Sequence, residues 1–527
     1  MNDRHDVIVI GAGANGLAAA ATLGRAGLAV IVLEQSGAVG GLQRTVEFAP
    51  GFHATPTAAD DGWLPPAMAR DLGLGVPVRT IPDIPLTVAL APGDVLPLAR
   101  ESRAAAEAIR RHSARDAATW PAFTAQLHKL AGFLAVLYQR PAPDIATTGL
   151  RDLASLLRVA LGLRALGRAD MAEFLRIVPM SVRELLDDRF ECEALKAAVA
   201  AGAVRDLRQG PRSGGTGFVL LHYLVGAAPG SVRDRGYCRD GPETCVAALD
   251  ALARRNGVTI RTDTAVSRIL VRDDAVTGVA LASGAEVSAP RVLSTADPAA
   301  TFLGLVDPVW LDPELLHAVR NIKFRGAAAV VLYALDSLPQ RGGLPAASLA
   351  GVVTLTPQLD ALERAADAAK YGNVSEHPHV EISAPSIRWP AVAPPGKHVV
   401  VARVQYAPHC LKDGNGWDGA RREALADRVS HLIDTAVPGF LDRVLHRAMF
   451  TPADFEARYG VTEGALTHGE LTLDQVLFMR PIPGLAHYAT PLTGLYLGGA
   501  GTHPGPGVMG GGGWLAARRL LQDGTGP

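Results

Sequence analysis

Cysteine is scarce in this chain: four among 527 residues, at Cys192, Cys238, Cys245 and Cys410. None forms a Cys-x-x-Cys pair or a close ligand cluster, which argues against disulfide chemistry and a metal centre. Excess charge is missing too. Lys and Arg number 51 against 52 Asp and Glu, so nucleic acid is not the expected partner. No apolar run reaches the length of a membrane-spanning helix, and no signal peptide precedes the first strand. The expected compartment is cytoplasmic; peripheral contact with the inner membrane surface and self-association stay open. Aromatics make up 5% of residues, and no aromatic cage of the kind an amine site needs can be placed.

Apolar residues and glycine are plentiful, at 48% and 56 residues respectively. The length allows two or three domains or one interleaved unit. Residues 6–34 read DVIVIGAGANGLAAAATLGRAGLAVIVLE: strand, Gly-rich turn, alanine-rich helix, second strand, acid. Gly11 permits the tight turn, Gly13 lets a pyrophosphate reach the backbone, and Gly16 lets helix and strand pack closely. The helix N-terminus at Ala14 presents free N–H groups to phosphate. Glu34 accepts from an adenosine ribose and repels a 2′-phosphate. This is dinucleotide binding, with NAD and FAD both open on the motif alone.

The next loop, SGAVGGLQRT from Ser36 to Thr45, brings Gly40 and Gly41 close to a ligand and offers Arg44 to pyrophosphate charge. It resembles the second FAD-contact loop of the flavoprotein superfamily that contains amine oxidases and phytoene desaturases. Many members have arginine directly after the paired glycines; here Leu42 stands there and the arginine is delayed. The C-terminal stretch LTGLYLGGAGTHPGPGVMGGGGWLAARRLLQD, 492–523, matches that superfamily's other FAD motif. The resemblance implies FAD contacts from Gly499, Gly507, Val508 and Met509, and from Val266 beside the adenine. It also implies that the run Gly510 to Gly513 clears space for the cofactor. VLFMRPIPGLAHYATPLTGLYLGGAGTHPGPGVMG resembles more closely the phytoene-desaturase-like proteins of the pyridine nucleotide-disulfide oxidoreductase domain-containing protein 2 group.

Between the motifs, apolar residues recur at helical spacing in 102–139, 150–178 and 187–204. These predict a mainly helical cap. Arginines line the other face of 150–178, whose apolar side is expected to pack into the cap, with a membrane surface as the alternative. Residues 326–336 and 397–406 read as strands. The expected fold is α/β: a Rossmann-type FAD-binding domain (1–90, 231–300 and 471–527) interleaved with a helical cap (91–230) and an α+β substrate domain (301–470).

The resemblance implies hydride removal from an organic substrate by FAD, with oxygen or a quinone as the electron acceptor. The helical cap, the apolar content and the lack of a basic cluster favour a lipophilic substrate, with polyenes or isoprenoid-like molecules the family's familiar example. An amine oxidase, a redox-neutral polyene isomerase and a non-enzymatic FAD-bearing assembly protein are the alternatives. No second nucleotide fingerprint is visible, so NAD(P)H is expected to reduce the flavin poorly. Catalytic candidates are His503 in GTHPG, Arg480 in FMRP and His53 in GFHATPTAADDG. Asp60, Asp61 and His468 are weaker ones.

Overall fold

Val7–Ile10 is the middle strand of a five-stranded parallel sheet in the computed structural model, which describes residues 5–57, 62–75, 77–91, 93–143, 150–233, 235–339 and 344–524. Asp60 and Asp61 lie outside the described residues. The strand order is Leu495–Leu497, Val292–Ser294, Val7–Ile10, Val30–Leu33, Thr259–Arg261. VIVI and VIVL are apolar throughout because both faces of this sheet are covered. Alternation then splits them. Val7, Val9, Val30 and Val32 pack under the helices Ala14–Arg25, Thr244–Arg255 and Gly511–Asp523, while Ile8, Ile10, Ile31 and Leu33 meet an antiparallel three-stranded sheet, residues 266–288. This is the expected Rossmann-type α/β domain, assembled from segments far apart in the chain.

A seven-stranded mixed sheet forms the second layer, in the order Val444–Phe450, Ala328–Leu335, His398–Gln405, His379–Ser383, Val352–Thr354, Leu86–Ala91, Asp94–Leu98. The two strands read in the sequence pair along their length, from Ala328 with Gln405 to Leu335 with His398. The expected boundary at residue 90 cuts through a hairpin, since Ala89 pairs with Val95, and that hairpin belongs to this sheet. Leu86, Val88, Leu96 and Leu98 hold it there, because they are buried against the helical cap.

The cap is built on the 24-residue helix Ala114–Leu137, capped by the Ser113 side chain at its start. Phe123 and Phe190 meet edge to face at 4.8 Å in its core. Residues 150–178 form two helices, Leu150–Ala165 and Arg168–Ile177, broken at Gly167 with φ +88°. Their packing differs from expectation. Val159, Leu163 and Leu166 rest on the cap core, but Leu153, Leu157 and Leu161 face outward and are 55–60% exposed. The helix carries two apolar stripes, and only one finds a partner in the described chain. Leaving three leucines more than half exposed forgoes about 1–2 kcal/mol each.

Candidate functional site

A cavity of about 430 Å³ opens where the first strand turns into its helix. That is within the usual range for small-molecule sites, about 300–1,000 Å³. Gly11, Gly13, Ala14, Glu34, Gly40 and Gly41 line one side, Val266 stands beyond Glu34, and Gly507, Val508 and Met509 line the other. Sequence-predicted residues from three distant segments therefore line one cavity.

The glycines have different physical reasons. Gly11 has φ +93°, and a Cβ there would meet Thr295 Oγ1 at 2.6 Å. At Gly16 a Cβ would lie 1.9 Å from the Gly11 carbonyl oxygen, so this glycine serves packing and does not line the cavity. Gly13 is extended, with φ −73°, and the nearest atom to a Cβ would be Gly41 Cα at 3.9 Å. Nothing in the protein forbids a side chain at Gly13. The space it leaves belongs to the cavity, at the N-terminus of Ala14–Arg25, where unpaired N–H groups and the helix dipole favour phosphate.

Glu34 is buried, and its carboxylate accepts from Ala12 N at 2.7 Å and Ser36 N at 2.8 Å. One lone pair on each oxygen remains for ribose hydroxyls. Gln43 Oε1, Tyr459 Oη, Thr467 Oγ1 and His468 Nδ1 are buried around the same cavity with no partner among the described residues. A buried unpaired polar atom costs about 1–3 kcal/mol. A cavity with four of them, a phosphate-ready helix end and a ribose acid fits FAD.

Other expected contacts lie elsewhere. Arg44 is absent from the cavity wall; its aliphatic stem folds over Gly40, where a Cβ would meet Arg44 Cγ at 2.6 Å. Gly499 backs onto the Thr295 carbonyl, 2.4 Å from a notional Cβ. The four-glycine run needs correction as well. Of the four only Gly510 lines the cavity, and the others clear protein: Gly513 sits 1.8 Å, by the same measure, from the Asn15 carbonyl oxygen, where the first and last helices cross.

None of His503, Arg480 and His53 lines the cavity. His53 pairs with Glu47 in a short hairpin and faces a second, smaller cavity. Arg480 is fully buried and has no carboxylate partner among the described residues; its guanidinium donates to the carbonyls of Thr467, Gly469, Glu470, Gln475 and Ala500. Burial lowers its pKa to about 10, which leaves it charged at neutral pH. It fastens the 467–475 loop, and with it Thr467 and His468, to the C-terminal segment. His468, the weaker candidate, does line the cavity, in a left-handed backbone conformation with φ +53°.

His503 is an anchor by geometry. Its Nε2 donates to Arg140 O at 3.0 Å, at the end of the long cap helix, and its Nδ1 is buried without a partner among the described residues. Burial pushes its pKa down from 6.5 to about 4. The stability contributed by this neutral imidazole is present above pH 6.5 and is lost as pH falls toward 4, about 3 kcal/mol over that window. His503→Gln keeps a donor and removes the titration. Its denaturation midpoint is expected to fall less steeply than that of the parent between pH 6.5 and 4; parallel curves would contradict this assignment.

Two residues that the sequence did not single out complete the closure. His222 donates from Nε2 to Pro506 O at 2.9 Å while its Nδ1 accepts from Tyr138 at 2.7 Å. Arg235 donates to Gly507 O at 2.7 Å and to the carbonyls of His222 and Tyr223. Cap and cofactor loop are thus bolted together by buried donors.

Fold and site together define an FAD-dependent oxidoreductase. The chain belongs to the flavin containing amine oxidoreductase family, whose pattern matches residues 15–521. It is 32% identical over 550 residues to pyridine nucleotide-disulfide oxidoreductase domain-containing protein 2 of Mus musculus, covering 99% of this chain and 94% of that protein. Phytoene desaturase (neurosporene-forming) of Cereibacter sphaeroides is 26% identical, covering 97% and 93%. A redesigned putrescine oxidase superposes with a TM-score of 0.59 at 15% identity and 99% coverage of both chains, a likeness of fold.

Proposed function

We propose that this oxidoreductase dehydrogenates a lipophilic, polyene- or isoprenoid-like substrate. Bound FAD supplies the hydride acceptor, and oxygen or a quinone is the proposed oxidant of the reduced protein. Glu34 and the Ala14–Arg25 helix end hold the nucleotide half, and the 505–510 loop runs along the other wall. The observation that carries the reading is the continuity of the cap core with the cavity wall: Val508 and Tyr223 line the cavity and belong to the same buried apolar cluster as the cap helices. Water is thereby excluded beside the cofactor. An amine is a poorer fit. The cavity's Tyr223 ring already carries the Arg205 guanidinium at 4.1 Å, which repels an ammonium group.

The test is product mass after incubating FAD-loaded protein with phytoene in detergent micelles. A product two hydrogens lighter is expected. An isomer of unchanged mass, or oxidation of a polyamine in its place, would overturn the reading.

The outward Leu153, Leu157 and Leu161 support a lipid surface as the route of substrate entry, with exposed Arg158, Arg164 and Arg168 beside them for anionic head groups. The site of action proposed on that basis is the inner, cytoplasmic face of a membrane. Changing all three leucines to glutamate should lower co-sedimentation with anionic vesicles about 10-fold or more, given the worth of even one buried leucine. Equal co-sedimentation of a folded variant would contradict it.

A further inference from the structure

A second cavity, about 70 Å³, lies beside the first and is too small for a whole lipophilic substrate. The two share a partition. Leu42, Gln43, Thr57 and Asp206 stand on the wall of the first cavity; Thr45, His53, Thr55 and Arg403 stand on that of the second. Arg403 joins them, pairing with Asp206 and donating to Thr57 O at 3.4 Å. The two spaces are one layer of side chains apart, and a ligand that parts that layer can set its far end in the second space.

Two of the charged side chains on that wall are paired off. Glu381 is paired with Arg233 at 2.7 Å, and Arg403 with Asp206. Arg388 is left over. It has no carboxylate partner among the described residues, and its one hydrogen bond is to the Ala350 carbonyl. Its guanidinium lies 3.7 Å over the Tyr237 ring and 5.0 Å from that of Trp389, which fixes its plane. Arg388 Nε and Thr55 Oγ1 are buried donors without partners among the described residues. Arg388 and Thr55 both line the cavity.

We propose that this second cavity binds the carboxylate end of the substrate, with Arg388 as its cationic partner and Thr55 as a neutral donor. The inference rests on the dehydrogenase reading and deepens it: the substrate is an amphipathic acid, apolar beside the cofactor and anionic at its far end. A planar guanidinium matches a carboxylate fork. The Glu381 carboxylate on the same wall disfavours a doubly charged phosphate.

The experiment compares binding of all-trans-retinoic acid and its methyl ester to FAD-loaded protein, read without turnover as perturbation of the flavin absorbance. The acid is expected to bind about 10-fold or more tightly than the ester, the scale of one charge-assisted hydrogen bond. Arg388→Gln should bring the acid down to the ester's affinity while leaving FAD content and ester binding unchanged. Arg388→Lys, which keeps the charge without the fork, should retain part of the preference. Equal binding of acid and ester, no binding of the acid, or an undiminished preference in a folded Arg388→Gln protein overturns the site. The two readings fail separately. Acid preference without dehydrogenation of any ligand upholds the site and sinks the dehydrogenase, whereas dehydrogenation of neutral polyenes without acid preference sinks only the site.

Discussion

Gly13→Val is expected to leave the chain folded and strip it of FAD. The protein itself offers no obstacle, because the nearest atom to a Cβ is 3.9 Å away and the backbone is extended. The valine methyls would instead occupy the space where the pyrophosphate meets the helix N-terminus. Overpacking costs about 1–3 kcal/mol and lost phosphate contacts add to it, so affinity should drop about 10²-fold or more. Gly16→Ala is the control: its Cβ would collide with the Gly11 carbonyl oxygen at 1.9 Å, and stability should fall with or without cofactor. Refolding each variant with excess FAD, then measuring bound flavin and the thermal midpoint, separates the two. A Gly13→Val protein that retains normal FAD would remove the cofactor from this cavity wall.

Arg480→Met should do the reverse, costing the fold first. The buried guanidinium is the shared donor for five backbone carbonyls from two segments. Methionine fills the volume but leaves several of them unpaired, at about 1–3 kcal/mol each. A loss of about 3–5 kcal/mol follows, the scale seen when a buried charge network is broken. Denaturant titration should show a large drop in midpoint, and Arg480→Lys, with fewer donors and no planar fork, should recover only part. Wild-type stability in the methionine variant would return Arg480 to the list of groups that act on substrate.

What the sequence made legible was what lies contiguous in it. Strand, glycines, helix and Glu34 are consecutive, and each residue's role follows from local geometry. The side chains that shape the rest of the cavity come from remote segments. Arg205, Tyr223 and Thr467 have no motif, and only the folded sheets bring them together. The glycine run shows a different limit. Close approach of two helices demands glycine as strictly as a flat ligand does, so Gly511 to Gly513 read the same either way. His503 and Arg480 looked chemical because they are polar residues beside a cofactor motif, yet their donors point at backbone carbonyls. Cys238 and Cys245, seven positions apart and unrelated by motif, come within 3.4 Å at their sulfurs. Arg388 had no basic neighbours to mark it; its neighbours are aromatic, and its isolation appears only once the other charges are paired.

Anaerobic titration of the flavin absorbance tests the central claim most directly. FAD-loaded protein mixed with a lipophilic polyene is expected to bleach, with one substrate oxidised per flavin, while NADH, NADPH and putrescine leave the colour unchanged on the same time scale. Fast, saturable bleaching by a nicotinamide or by the amine, with none from the polyene, would contradict the account.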